Sequence, residues 1–131
     1  DNIPERFREI NNTTIQPEHF ETIIKGMELV FDANGTAYKK GTKINNLIIC
    51  GKTGTSEKIV DGKKKPEHSS FIAFAPKENP KIAIYVIVED GGYGSKWAAP
   101  ISVLIIEKYL YNTISRPTLE EKMLTENPYQ E

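Results

Sequence analysis

Apolar residues recur along two segments of the chain with the spacing of amphipathic helices. After Pro17, which suits the first turn of a helix, apolar positions follow one another at three- and four-residue steps. Asn34-Gly35 then predicts the end of this helix or a turn. The stripe, which we assign to the core, consists of Phe20, Ile23, Ile24, Met27, Val30 and Phe31.

The second helical segment lies towards the C-terminal end. Ser95 is a candidate N-cap, and Pro100 falls near the first turn, where proline is tolerated. After Arg116-Pro117 the chain is polar, and residues 117–131 are expected to form a flexible tail. The stripe of this second helix, also assigned to the core, consists of Ile101, Leu104, Ile105 and Tyr109.

Three apolar runs between the helices predict strands over residues 47–55, 70–75 and 81–88. The last run is apolar on both faces, which is typical of a strand covered on both sides. The polar, lysine-rich residues 56–68 predict a loop. Helix, three strands and helix in this order, with a short connection between the last two strands, indicate an α+β fold: an antiparallel sheet with helices on its faces.

Composition restricts the classes of function. A chain of 131 residues suits one domain, and its formal net charge of −1 argues against a nucleic-acid-binding surface. Cys50 is the single cysteine, so no disulfide framework is expected, and we interpret it as a buried, inert thiol. Two histidines, His19 and His68, are too few for a metal site. No apolar run is long enough to span a bilayer, and the first residue is not methionine, which indicates a part of a longer protein.

The stretch ICGKTGTSEK, residues 49–58, has two competing interpretations. A phosphate-binding loop needs a glycine five residues before Gly51, but that position is Asn46. The loop also needs a helix that starts at the lysine, whereas Gly54 follows Lys52 closely and the next residues are polar. Nucleotide binding is therefore disfavoured.

A strand over the same residues predicts a different chemistry. Side chains alternate along a strand, so Thr53 and Thr55 share one face and Lys52 lies on the other. Two hydroxyls on one face can together bind a carboxylate, and Lys52 adds a positive charge. Gly54 leaves room for a ligand backbone to pair with an exposed strand edge. These residues suit one wall of a site that acylates a peptide ending in a carboxylate; the alternative for four residues alone is an ordinary strand with an exposed lysine and threonine.

Four longer stretches carry a family resemblance in their order and spacing. They are GMELVFDANGTAYKKG, CGKTGTSEK, HSSFIAFAPKENPKIAIYVIVEDGGYG and AAPISVLIIEKYL. Together they resemble the C-terminal part of the transpeptidase domain of class B penicillin-binding proteins, over residues 17–112. Gly35-Thr36-Ala37 and Gly91-Gly92 favour the elongation type, the penicillin-binding protein 2 group, which acts in cell shape.

The resemblance implies a fold and a set of site residues. The fold is the three-layer α/β/α serine β-lactamase or penicillin-binding transpeptidase type, of which this chain supplies three antiparallel strands and flanking helices. Lys52 would give electrostatic stabilisation. Thr53 and Thr55 would bind the terminal carboxylate, and Gly54 would allow the backbone to approach. The backbone N–H of Thr55 would be one of two oxyanion donors.

The resemblance also implies partners and a location. The ligands would be the D-Ala-D-Ala end of a peptidoglycan stem peptide and β-lactam antibiotics, with no cofactor, no metal and no nucleic acid. The parent protein would be anchored at the extracytoplasmic face of the bacterial inner membrane, in the periplasm, by a segment outside this chain. It would associate with a glycosyltransferase.

The chain departs from the family pattern in one important respect. None of its serines begins Ser-x-x-Lys, the nucleophile motif, and none begins Ser-x-Asn. We therefore expect a C-terminal segment, residues 1–131, of a transpeptidase domain that is inactive in isolation. The alternatives are a β-lactam-sensing or scaffold domain of the same fold and, from another class, a nucleotide-binding protein.

Three side chains near the predicted site have open roles. His68 is either a turn residue or a neighbour of the cleft. Trp97 either packs under the last helix or lines the cleft beside Tyr93.

Overall fold

Three antiparallel strands form the centre of the fold, in the order β1-β2-β3. The computed structural model describes residues 4–5, 8–9, 12–38 and 42–129. The elements are α1 (Pro17–Leu29), β1 (Cys50–Val60), β2 (Lys63–Ala75), β3 (Ile82–Val88), α2 (Ala98–Tyr111) and α3 (Pro117–Thr125). The expected α+β architecture, an antiparallel sheet with flanking helices, is confirmed.

The core lies on one face of the sheet. Phe71, Ala73 and Ala75 of β2 are buried there and cluster with Val103 and Ile106 of α2. The segment after α1 joins the same cluster: the ring of Phe31 meets that of Phe71 edge to face, with centroids 5.7 Å apart. Burial of such large apolar groups is the main stabilising contribution to a domain of this size.

The opposite face of the sheet is exposed within the described residues. Ile72 and Tyr85 pair across β2 and β3, and both are exposed, as is Ile87. The prediction that β3 is covered on both sides is therefore wrong for this part of the chain. Half-buried and exposed residues alternate along β3, although its sequence is apolar on both faces.

Residues 56–68 form a long β-hairpin, which corrects the prediction of a loop. β1 continues to Val60 and β2 begins at Lys63, with a register irregularity between Ser56 and Lys58. The connection is Asp61-Gly62, and both residues have positive φ, 51° and 70°. Asp-Gly with these angles is the preferred two-residue hairpin turn. The hairpin arms are polar because they lie beyond the core, so apolar periodicity does not reveal them.

β1 begins later than predicted, at Cys50 rather than at residue 47. Leu47 and Ile49 are still buried in the core. They reach it from an irregular segment in which Asn46 has a positive φ of 61°. Apolar runs thus located the core residues correctly without fixing the strand boundary.

α1 contributes less to the core than its stripe predicts. None of its own residues is buried, and Phe20 and Ile23 are 44% and 64% exposed. Val30 and Phe31, just past its end, are the buried members of the stripe. The prediction of a core stripe therefore holds only for the C-terminal end.

α2 buries a different face from the one predicted. Ile105 and Tyr109 are exposed and Ile101 is half-buried, whereas Leu104 is buried. The helix is apolar on more than one side, so its sequence does not identify the core face. The residues that this helix buries are Ala98, Ala99, Pro100, Ser102, Val103, Leu104, Ile106 and Glu107.

A third helix occupies part of the predicted tail. α3 begins with Pro117, a favourable first-turn residue, and packs against α2. The polar sequence does not predict this helix, and the flexibility of residues 117–131 stays a prediction. In the described part of the chain no helix has the length and apolar character that a bilayer span requires.

Candidate active site

The Lys52-Thr53-Gly54-Thr55 sequence lies in the middle of β1, at an edge of the sheet. The four residues pair in order with Ile72, Phe71, Ser70 and Ser69 of β2. No helix begins at Lys52, so the geometry of a phosphate-binding loop is absent from this stretch. Within the described residues β2 is the sole hydrogen-bonded neighbour of β1. The outer edge of β1 can therefore accept an extended peptide.

The side chains of this element divide between the two faces as the alternation predicts. Residues directly opposite in an antiparallel pair share a face, so Thr53 and Thr55 lie on the face of Phe71. Lys52 lies on the face of Ile72 and is exposed. Its Nζ donates a hydrogen bond of 2.7 Å to the carbonyl oxygen of Thr53. The cation is thus held beside the same strand that carries the hydroxyls.

Thr53 contacts a residue that the sequence did not identify as part of the site. Its hydroxyl donates to Oγ1 of Thr36 across 2.9 Å, although the two residues are 17 positions apart. Thr36 is the central residue of Gly35-Thr36-Ala37, which lies in a turn after α1. Gly35-Thr36-Ala37 contributes to the family resemblance, and this is the sequence signal that points to Thr36.

Gly54 packs closely against its partner on β2. A Cβ atom at this position would collide with Oγ of Ser70, its partner on β2. The backbone of Gly54 is also covered closely, because a Cβ on Gly94 would meet the carbonyl oxygens of Gly54 and Ser70. The glycine therefore has a packing role in addition to any approach by a ligand.

The three side chains whose roles were open are placed differently. His68 belongs to β2 and faces Ser56, so its assignment as a turn residue is wrong. Its Nδ1 accepts the backbone N–H of Asp90 at 2.9 Å and lies 3.7 Å from the carboxylate of that residue. Trp97 is 3% exposed and immediately precedes α2, whereas Tyr93 is 68% exposed.

Neither Cys50 nor the lysine run, Lys63-Lys64-Lys65, is assigned a role in the site. Cys50 is fully buried, and this burial raises the pKa of its thiol, which is the expected environment of an unreactive core cysteine. In the lysine run, Lys64 pairs with Glu57 at 3.1 Å and Glu67 at 2.8 Å. Hydrogen bonds to Glu67 and Glu57 raise the pKa of Lys64 to about 12. The run is therefore partly neutralised locally.

Comparison with known proteins identifies the family of this chain. Residues 5–107 match the family described as penicillin binding protein transpeptidase domain. The chain belongs to this family. The match includes β1, β2 and β3 and most of α2, so the edge strand described above is a strand of a transpeptidase domain.

Individual relatives agree with this assignment. The chain is 41% identical to peptidoglycan D,D-transpeptidase PbpA of Mycobacterium tuberculosis over 88 residues, 63% of this chain and 18% of that protein. A crystal structure of Pseudomonas aeruginosa PBP2 in complex with WCK 5153 superposes with a TM-score of 0.63 at 33% identity, over 76% of this chain and 21% of that one. An imipenem acyl-enzyme complex of penicillin-binding protein A from M. tuberculosis gives 0.60 at 31% identity, over the same shares.

The chain therefore spans about a fifth of the length of the relatives that it matches. It contains the edge strand β1, the ammonium group of Lys52 and the hydroxyls of Thr53 and Thr55 on one face. It contains no Ser-x-x-Lys sequence. Hydroxyl and ammonium groups are of the kind that binds carboxylates, but no serine of this sequence has the lysine of the nucleophile motif three residues later.

Proposed function

We propose that this chain is the C-terminal segment of the transpeptidase domain of a peptidoglycan D,D-transpeptidase and forms one wall of its acyl-transfer site. The observation that carries the proposal is the position of Lys52-Thr53-Gly54-Thr55 on an edge strand, with both threonines on one face. The family match supports the reaction class, and the likeness to a PBP2 structure supports the elongation-type group.

Each residue of the element has a defined task in this proposal. The stem peptide that ends in D-Ala-D-Ala pairs in extended form with the outer edge of β1. The hydroxyls of Thr53 and Thr55 hydrogen-bond its terminal carboxylate, and the ammonium of Lys52 favours negative charge in the same region. Gly54 keeps the strand free of a side chain where the peptide backbone passes.

The reaction itself needs a serine from outside this chain. That serine attacks the carbonyl carbon of the penultimate D-Ala, its proton passes to a neighbouring base, and the terminal D-Ala leaves as an amine. The backbone N–H of Thr55 is one of two donors to the oxyanion of the tetrahedral intermediate, a contact of a kind worth about 3 kcal/mol. The amine of a second stem peptide then attacks the acyl-enzyme and completes the cross-link.

β-lactams enter the same site because they present a carboxylate and a reactive carbonyl in similar positions. The imipenem acyl-enzyme complex of the M. tuberculosis relative supports this part of the proposal. A membrane anchor, an extracytoplasmic location and an associated glycosyltransferase are proposed from family membership alone.

The decisive experiment uses the full-length protein and two readouts. Incubation with a D-Ala-D-Ala stem peptide and an amine acceptor should release D-Ala and yield a cross-linked product, and fluorescent penicillin should form a covalent adduct. An adduct without release of D-Ala would instead indicate a β-lactam-sensing domain of the same fold. Absence of both products would overturn the assignment to the family's reaction.

A further inference from the structure

The Gly35-Thr36-Ala37 turn is constrained on both sides of its central residue. A Cβ on Gly35 would collide with the carbonyl oxygens of Val30 and Leu29, so only glycine fits there. The N–H of Gly35 donates to Asp32 at 2.6 Å, and the N–H of Ala37 donates to Val30 at 2.9 Å. The backbone that carries Thr36 is therefore folded tightly against the end of α1.

The following residue fixes the turn to the interior. Ala37 is 1% exposed, and its carbonyl oxygen accepts the hydroxyl of Thr42 at 3.0 Å. Thr42 is itself buried. With Gly35 and Ala37 both fixed, the backbone of Thr36 has little freedom, and its hydroxyl is placed 2.9 Å from that of Thr53.

Hydroxyl chemistry gives this contact a consequence. A threonine hydroxyl has one proton to donate and two lone pairs that accept. In this structure the hydroxyl of Thr53 is hydrogen-bonded to that of Thr36. When Thr53 donates its proton to a carboxylate, its oxygen can still accept, and the hydroxyl of Thr36 can donate to it. Hydrogen bonds in such a chain strengthen one another.

We propose that Thr36 is a positioning residue that orients the hydroxyl of Thr53 and supports it as a donor to the substrate carboxylate. The inference rests on the proposed function, because it assumes that Thr53 binds that carboxylate. Thr36 does not touch the reacting carbonyl, so its contribution is to recognition of the carboxylate and not to the chemical step.

The test combines three protein variants with two ligands. Thr36→Val removes the hydroxyl at nearly constant volume, Thr36→Ser retains it, and Thr22→Val is the control. Thr22 is an exposed threonine on α1, and its hydroxyl donates to the carbonyl oxygen of Glu18 at 3.0 Å. The full-length variants are acylated with benzylpenicillin and with its methyl ester, and the binding constant and acylation rate constant are separated by varying the ligand concentration.

The proposal makes a defined prediction for each combination. Thr36→Val should weaken binding of benzylpenicillin about 3- to 10-fold, the range expected for one neutral hydrogen bond, with little change in the rate constant of acylation. Thr36→Ser and Thr22→Val should behave like the unmodified protein. With the methyl ester, which lacks the carboxylate charge, Thr36→Val should have little effect. An equal loss with both ligands, or no loss with benzylpenicillin, would overturn the proposal.

A fourth variant, Thr53→Val, separates this inference from the proposed function. If Thr53→Val weakens benzylpenicillin binding and Thr36→Val does not, only the role of Thr36 is wrong. If Thr53→Val itself has no effect, the assignment of Thr53 to the carboxylate is wrong as well.

Discussion

The hydroxyl of Ser69 on β2 accepts the backbone N–H of Ala98, the first residue of α2, at 3.1 Å. The same hydroxyl donates to the carbonyl oxygen of Tyr93 at 2.9 Å, so one buried serine joins the sheet to both ends of the 93–98 connection. An N-terminal N–H of a helix usually finds its acceptor in a nearby side chain. Here the acceptor comes from a residue 29 positions earlier in the chain.

Replacing Ser69 should therefore destabilise the protein more than replacing Ser95, the candidate cap predicted from sequence. Ser69→Ala leaves a buried N–H and a carbonyl oxygen without this partner, at an expected cost of about 2 kcal/mol. Ser95→Ala should change the free energy of unfolding by less than about 0.5 kcal/mol, because α2 begins at Ala98 and has no side-chain cap of its own. Chemical denaturation of both variants measures the difference, and a larger effect at Ser95 would contradict the geometry.

The apolar pattern of the sequence predicts the core positions, but not the buried side of α2 or the contact from Ser69. Apolar runs identified Leu47, Phe71 and the other core positions, because burial follows hydrophobicity. They did not distinguish the two sides of α2, since Ile105 and Ile106 are equally apolar and only Ile106 is buried. The cap from Ser69 is non-local, and no pattern within the 93–98 segment reveals it.

The hairpin and the site were also only partly predictable from the sequence. Asp61-Gly62 is a recognised turn signal. The arms on either side of it are mostly polar, however, and do not show the apolar pattern that predicts strands. The placement of Lys52 and Thr53 on opposite faces of a strand followed from alternation alone. The contact between Thr53 and Thr36 did not, because it depends on how the turn after α1 meets β1 in space.

In the full-length protein, Lys52→Ala and Thr53→Val should each slow acylation by penicillin. Each change removes a group that we propose to contact negative charge, and a hydrogen bond to a charged group is worth roughly 1.5–3 kcal/mol, or about 10- to 150-fold in rate. Both residues lie on an edge strand outside the buried core, so folding should be retained. The second-order acylation rate constant is the measurement.

The matched control for these variants is Lys25→Ala, since Lys25 is an exposed lysine on α1. Its acylation rate should equal that of the unmodified protein. If Lys52→Ala and Thr53→Val acylate at the same rate as this control, the proposed roles of the two residues are wrong.

Arg116 should be needed for stability because it meets a buried carboxylate. Its Nη1 lies 3.4 Å from Oε2 of Glu107 on α2, and the two side chains are 12% and 3% exposed. Nη2 also donates to the carbonyl oxygen of Lys43 at 3.2 Å. Arg116→Met removes the cation and leaves the carboxylate buried, with the hydroxyl of Ser115 still donating to its Oε1. The expected cost is about 3 kcal/mol.

Two further variants test whether the cost comes from the unpaired charge. Adding Glu107→Leu to Arg116→Met should recover part of the lost stability, because an apolar pair needs no compensation for desolvation. Lys122→Met breaks an exposed pair with Glu126 on the surface of α3 and should cost less than about 0.5 kcal/mol. Denaturation curves that show equal losses for Arg116→Met and Lys122→Met would refute the importance of the buried pair.

The isolated 131-residue chain should form no covalent adduct with a β-lactam. Acylation needs a serine activated by a neighbouring base, and no serine of this sequence has a lysine three residues later. We propose that the hydroxyls of Thr53 and Thr55 bind a carboxylate, but they lie on one wall of a site whose nucleophile we place outside this chain. Incubation with fluorescent penicillin followed by intact-protein mass spectrometry is the measurement, with the full-length protein as the positive control. A stoichiometric mass increase on a serine of the isolated chain would show that the nucleophile lies within these residues after all, and that the chain is more than one wall of the site.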